Sequence, residues 1–332
     1  MTAQQLDVIG FGNAIVDVIS RAEEAFLDTH EMRKGGMTLI DEPRAEAVYG
    51  AMGPGVEISG GSAANTMVGV AALGGRAGFI GKVRDDELGG IFAHDIRAAG
   101  VAYATPPAAN GPTTARCLIL VTPDGERTMN TYLGAAQGLS PVDVDEAMVA
   151  SATVTYLEGY LWDPPAAKEA FLKAAGIAHG AGRTVALTLS DAFCVGRYRD
   201  EFLKLIREGT VDLVFANEAE LTSLYETDFD AALAALRREA RRAVVTRSEK
   251  GALSVAGDEL VAVEAYPVAK VVDTTGAGDL FAAGYLHGFS RGFSAEESLR
   301  LGALSAAEII SHIGARPERG LKELAEENEL RV

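Results

Sequence analysis

Val271-Val272-Asp273-Thr274-Thr275-Gly276-Ala277-Gly278-Asp279, running on into Leu280-Phe281-Ala282-Ala283-Gly284-Tyr285-Leu286, predicts a buried strand, a glycine-rich turn and an apolar helix. Gly276 and Gly278 carry no Cβ, so the backbone there can take positive φ and approach a ligand closely. The first N–H groups of the helix lack intrahelical partners and can point at an anion. Asp279, just inside the helix start, is a candidate general base beside that anion site. Together these features could move a phosphoryl group onto an alcohol. The same residues would also serve as an Asp-capped helix start packed tightly on its neighbours.

The rest of the chain supplies the setting. Leu6–Phe11 reads as a strand ending at Gly12-Asn13, and Ala14–Ser20 as a β-branched strand carrying Asp17. Asp17 is either the polar face of an alternating strand or a ligand contact. Gly60-Gly61-Ser62-Ala63-Ala64-Asn65-Thr66 is a second glycine turn, leading into a helix of small residues, Met67–Gly75. Ala77–Ile80 reads as a strand and Asp86–Ala99 as an amphipathic helix. Arg116–Thr122 and Arg127–Tyr132 flank Pro123-Asp124-Gly125-Glu126, a hairpin signal. From residue 150 onward, strands (Val154–Leu157, Thr184–Leu189, Leu213–Ala216, Ala243–Thr246) alternate with helices (Pro165–His179, Tyr198–Glu208, Ala231–Ala240), and a hairpin follows over Leu253–Glu264. This pattern predicts an α/β fold, a doubly wound, mostly parallel sheet flanked by helices. A small β-rich lid, from discontinuous segments 13–45 and 101–135, fits the early hairpins within a single domain, 1–332. Ligands then belong at the carboxyl ends of the strands, where Asn13, Asn217, Thr246 and Asp273 are expected.

Composition narrows the function. The 332 residues are 48% hydrophobic and 23% charged, as in ordinary globular domains. A net charge of −17 disfavours nucleic-acid binding, and any anionic ligand needs a local positive or N–H-rich site. Cys117 and Cys194 form neither a disulfide framework nor a zinc spacing. No secretory signal and no membrane-length apolar run is seen, so a cytoplasmic location and no membrane partner are expected. The five histidines show no metal spacing. Arg237-Arg238 and Arg241-Arg242 read as the solvated face of one helix.

Two nucleotide motifs fail. Gly81-Lys82 is followed by Val83 and has Arg76 where a Walker A loop needs glycine. Gly10-Phe11-Gly12 has Ile15, and Gly276-Ala277-Gly278 has Phe281, where a dinucleotide fold needs its third glycine. The helix start at Gly276 remains the best phosphate candidate.

Read together and in order, the two glycine motifs resemble those of the PfkB (ribokinase-like) family of carbohydrate and nucleoside kinases. Gly60-Gly61-Ser62-Ala63-Ala64-Asn65 resembles its N-terminal signature, Asp273–Asp279 its C-terminal signature, and Asn217-Glu218-Ala219-Glu220 its Asn-x-x-Glu element. The resemblance implies that Asp279 is the catalytic base and that Gly276, Ala277 and Gly278 form an anion hole with Thr275 beside the nucleotide. It implies that Asn217 and Glu220 organise Mg²⁺ through water around the phosphates of ATP. It also implies that Thr246, Arg247 and Gly251 lie along the nucleotide, and that a monovalent cation such as K⁺ sits near Asp273.

Gly12-Asn13-Ala14-Ile15-Val16-Asp17 resembles the opening of the adenosine kinase branch. That resemblance implies that Asn13, Asp17, Gly60, Gly61 and Asn65 hold a nucleoside and that Arg127 closes over the phosphates. Met37, Leu39, Leu133, Tyr160 and Trp162 are candidates for an apolar base slot, each equally readable as core. The expected activity is phosphorylation of adenosine to AMP. A sugar acceptor (ribose, fructose or a ketodeoxy sugar acid), another nucleoside, or a non-catalytic nucleotide-binding role are the alternatives. Either a monomer or a homodimer fits the lid.

Overall fold

In the computed structural model, which describes residues 5–332, two sheets are arranged around a cleft. In chain order the strands are β1 (Val8–Phe11), β2 (Ile15–Arg21), β3 (Met37–Leu39), β4 (Gly55–Gly60), β5 (Ala77–Ile80), β6 (Ala102–Tyr103) and β7 (Ala115–Val121). They continue as β8 (Arg127–Tyr132), β9 (Val154–Glu158), β10 (Thr184–Thr188), β11 (Leu213–Asn217), β12 (Ala243–Thr246), β13 (Ala252–Ala256) and β14 (Glu259–Val263). The large sheet has nine strands in the order β14-β13-β12-β11-β10-β9-β1-β5-β6, parallel from β12 to β6, with β13 and β14 antiparallel at one edge. The second sheet has five strands in the order β3-β8-β7-β2-β4. β4 lies outside the segments expected to form a lid, and β6 belongs to the large sheet.

Alternation along the parallel strands divides the core into two layers. Val8 and Phe215 face one layer, whereas Ile9, Phe11, Val214 and Ala216 face the other. Helices Ser62–Ala72, Ala277–Ser290 and Ala295–Ile309 fill the first layer, and Pro165–Gly180 and Ala192–Arg207 the second. The small residues of the Gly60 region's helix let helices nearly touch: a Cβ at Gly69 would lie 2.6 Å from the Ala283 Cβ. Helix Ala192–Arg207 begins before the expected Tyr198, because Asp191 caps it and Tyr198 is only a kink within it.

Two expectations need correction. Val271–Asp273 is not a buried strand; Val271 and Val272 are 52% and 41% exposed. The segment is extended, as β-branched residues favour, but among the described residues it pairs with no strand. Instead Val272 N–H donates to Ile310 O, past the end of a helix, at 2.8 Å. Asp273 therefore approaches the cleft from the helix layer rather than from a strand end. The helix carrying Arg237 and Arg238 ends at Glu239, so Arg241 and Arg242 lie beyond it, leading into β12.

Gly284 tests the packing. A Cβ there would lie 2.5 Å from Leu301 O and 2.7 Å from Gly302 Cα, both backbone atoms. Helix propensity alone favours Gly284→Ala by about 1 kcal/mol. Close approach instead leads us to expect a net loss of about 1–3 kcal/mol in urea unfolding. A stabilised variant would contradict this packing.

Candidate active site

The carboxyl ends of β10, β11 and β12, with Tyr160 just past β9, line a cavity of about 410 Å³ between the two sheets. Helix Ala277–Ser290 starts there. Its N-cap, Gly276, has φ +79, and a Cβ at that position would press on Ala315 at 3.0 Å. Among the described residues, the N–H groups of Gly276, Gly278 and Asp279 have no protein acceptor, and Gly278 has open space where a Cβ would sit. Free N–H groups at a helix start are arranged as an anion would need them.

Asp279 is held from the other glycine turn. Ser62 Oγ–H donates to Asp279 Oδ1 at 2.6 Å and Asn65 Nδ2–H to Oδ2 at 3.2 Å. Burial pushes the Asp279 carboxyl up, while these two hydrogen bonds pull it back. Gly61 makes the approach possible: its φ is +100, and a Cβ would lie 2.2 Å from Asn13 O.

Asp17 also faces the cavity, and among the described residues its side chain has no hydrogen-bond partner. Its carboxyl is pushed up to about 6 by burial, opposed by Arg316 and Arg127. Gly60 leaves room for it, since a Cβ there would lie 2.4 Å from Asp17 Oδ2. Asp17 thus alternates within β2 and also turns its acceptors to the cavity.

Asn13 stands behind the cavity rather than in its wall. It is 2% exposed and donates through its backbone N and Nδ2 to Glu158 Oε1 at 3.2 and 2.7 Å. Glu158 Oε2 accepts from Ala63 N at 2.9 Å, so this carboxylate ties β1 to the start of helix Ser62–Ala72. Burial pushes Glu158 up to about 7. No motif signalled it, because a single Glu at a strand end reads as ordinary.

Asn217 and Glu220 form a reciprocal cap. Glu220 N–H donates to Asn217 Oδ1 at 2.8 Å, while Asn217 N and Nδ2 donate to Glu220 at 3.0 and 2.6 Å. Both line the cavity, and burial pushes Glu220 up to about 7. Thr246 and Thr275 line it too. Arg247 turns away, donating to Glu218 at 3.1 Å and stacking on Phe229. Gly251 is needed for its φ of +84, where a Cβ would lie 2.0 Å from Val263 O.

Of the apolar candidates, Tyr160 lines the cavity. Trp162 is buried away from it, donating to Glu201 at 2.8 Å. Met37 and Leu39 pair with Met129 and Thr131 across β3 and β8, and so share the cleft-facing side of the second sheet. Ile119 and Cys117, which the sequence did not single out, continue that face.

Arg127 does not stand free over the cavity. It forms a buried ion pair with Asp273, with side-chain exposures of 7% and 9%. Asp273 Oδ1 also accepts from Thr275 N and Oγ1 at 3.0 and 2.7 Å, and Oδ2 from Gly314 N at 3.0 Å. Burial alone would raise the Asp273 carboxyl; these contacts and the guanidinium hold it below the usual range.

Comparison with known proteins gives consistent matches. Residues 46–319 match the profile of the pfkB family of carbohydrate kinases. The chain is 56% identical to a solved adenosine kinase from Sinorhizobium meliloti, covering 98% of this chain and 100% of that one, with a TM-score of 0.90. A probable sugar kinase protein from Rhizobium etli is 54% identical over 100% of both chains, with a TM-score of 0.92. The adenosine kinase of Saccharomyces cerevisiae is 26% identical, covering 92% of this chain and 95% of the relative.

The Arg127–Asp273 pair yields a test. Breaking a buried pair strands one charge and costs about 3–5 kcal/mol. Arg127→Met is expected to destabilise the protein in that range, and Arg127→Met with Asp273→Asn to recover part of it. A loss in the double variant equal to the sum of the losses in Arg127→Met and Asp273→Asn alone, measured by urea unfolding, would show the pair to be uncoupled.

Proposed function

The chain belongs to the pfkB family of carbohydrate kinases and is a sugar or nucleoside kinase acting on a hydroxyl group; from this premise we propose that it transfers the γ-phosphoryl group of ATP to the primary hydroxyl of adenosine, giving AMP. The observation that carries the acceptor reading is the cleft face of the second sheet. Met37 and Leu39, half exposed, continue the apolar surface of Ile119 and Met129. A sugar alone would leave these side chains wet, whereas a heteroaromatic base would cover them.

In this reading Asp17 accepts hydrogen bonds from the ribose hydroxyls, the ionised acceptor making them strong. The primary hydroxyl lies at Asp279, which takes its proton as oxygen attacks phosphorus. The free N–H groups of Gly276 and Gly278 receive the charge developing on the transferring group. ADP leaves with the electron pair of the broken P–O bond, and the second sheet excludes water from the step as a lid.

The family implies ATP and usually Mg²⁺. The donor set fits a hydrated ion: Asn217 and Glu220 face the cavity, and among the described residues no three or more His, Cys, Asp or Glu side chains converge on a direct metal site. When bound, Mg²⁺ would neutralise phosphate charge, and Glu220 and Asn217 would hold its water. The place for a monovalent cation by Asp273 already carries the Arg127 charge. Among the described residues no helix is long and apolar enough to cross a membrane.

A sugar kinase is the second reading, favoured by the unpartnered Asp17 carboxylate, which would bind any vicinal diol. ADP release with adenosine, inosine, ribose and fructose separates the two. Adenosine is expected to give the highest kcat/KM, and Asp279→Asn to keep the fold and lower kcat by about 10²–10⁴-fold. Turnover of fructose or ribose without adenosine would overturn the acceptor, and near wild-type turnover by Asp279→Asn would overturn the base.

A further inference from the structure

Gly314-Ala315-Arg316, beyond helix Ala295–Ile309, lies outside every motif in the sequence, yet each residue touches the site. Gly314 N–H donates to Asp273. Ala315 packs against Gly276. Arg316 reaches the other glycine turn: Nε–H donates to Ser59 O at 3.1 Å, Nη2–H to Ser59 Oγ at 2.8 Å and also to Ser59 O, and Nη1–H to Ala64 O at 3.5 Å. Ser59 immediately precedes Gly60-Gly61, and Ala64 sits in the helix turn that carries Ser62 and Asn65. Ser59 is itself fixed from behind, donating its N–H and hydroxyl to Asp95 Oδ2 at 2.8 and 2.6 Å.

The Arg316 guanidinium thus spends its hydrogen bonds on backbone carbonyls and a hydroxyl. Among the described residues it makes no direct ion pair with a carboxylate. Its charge nonetheless acts on Asp17, Asp95 and Asp279. The Asp279 carboxylate also makes Asp17 harder to ionise. Arg127 also acts on Asp17, but it is committed to Asp273; Glu158, buried behind Asn13, adds further negative charge beside Asp279.

We propose that Arg316 is a positioning residue: it clamps the Asp279 turn to the Gly60-Gly61 turn and sets one partly buried positive charge beside the two carboxylates of the site. The inference rests on the kinase reading above. A guanidinium suits the task because its planar fork fills several acceptors at once and keeps its charge when buried.

The test is the pH dependence of kcat and KM for wild type, Arg316→Gln, Arg316→Lys and Arg316→Ala with adenosine and MgATP, from about pH 5 to about pH 9. Losing the cation makes the base harder to ionise, so the acidic limb of kcat is expected to move up by about one pH unit in Arg316→Gln. On the acidic limb, below both midpoints, kcat is expected to fall about tenfold, in step with that shift. Arg316→Lys is expected to keep the wild-type limb while losing kcat, since an ammonium cannot fill the same fork. Guanidinium chloride at low concentration is expected to return the Arg316→Ala limb toward wild type. Limbs that coincide with wild type in Arg316→Gln, or no response of Arg316→Ala to guanidinium, would overturn the proposal and leave Arg316 a structural staple. Wild type inactive on every acceptor would instead overturn the kinase reading itself.

Discussion

Two hydrogen bonds join the halves of this molecule at the point where chemistry is expected: Ser62 and Asn65 to the two oxygens of Asp279, across sequence separations of 217 and 214 residues. Much else in the fold exists to allow them. Gly61 bends the chain off β4 into helix Ser62–Ala72 with a φ that other residues rarely adopt. Gly69 lets that helix lie against Ala283 of the Asp279 helix. Glu158 ties the start of helix Ser62–Ala72 to β1 through Ala63 and Asn13. If the two helices parted by an ångström, the carboxylate would lose its orientation while the Gly276 turn stayed intact.

The electrostatics show where stability is given up for this arrangement. Asp17, Glu158 and Glu220 have carboxyls pushed to about 6, 7 and 7 by burial. The folded state therefore binds these protons more tightly than the unfolded chain, whose carboxyls titrate near 4. On this account stability falls as pH rises from about 4 to about 7, and the full cost is present above that window. In an acidic chain the offset is local: unpaired helix N–H groups, Arg127 on Asp273, and Arg316 on the other turn. Under the proposed function the carboxylates of the cleft meet hydroxyls and metal-bound water, and the free helix N–H groups, rather than the committed arginines, meet phosphate.

Most of the large sheet was legible because its parallel strands, the two-residue β6 apart, are short apolar runs closed by a turn residue. The turn at Gly276 was legible because its glycines and Asp279 stand in a fixed order. What misled was local likeness without a partner: Val271-Val272 has strand composition, yet among the described residues it pairs with no strand, so it stays extended and half in water. Arg127 read as a ligand contact, since no local pattern reveals that Asp273, 146 residues away, takes its charge. Glu158 and Arg316 left no signal because each works through backbone groups brought together only by the fold. The cleft face of Ile119 and Met129 was hidden because alternation marks both faces of a strand alike, and only the register with β3 tells which one meets the cavity.

The coupling of the two glycine turns through Asp279 is open to one direct measurement, kcat for Ser62→Ala in the wild-type background and again in Asp279→Asn. Residues acting as a unit are non-additive. If Ser62 works by orienting the Asp279 carboxylate, its loss lowers kcat by about tenfold in wild type and leaves Asp279→Asn unchanged. The same fold-loss in both backgrounds would mean that Ser62 and Asp279 act independently, and would contradict the view that the two turns form one catalytic unit.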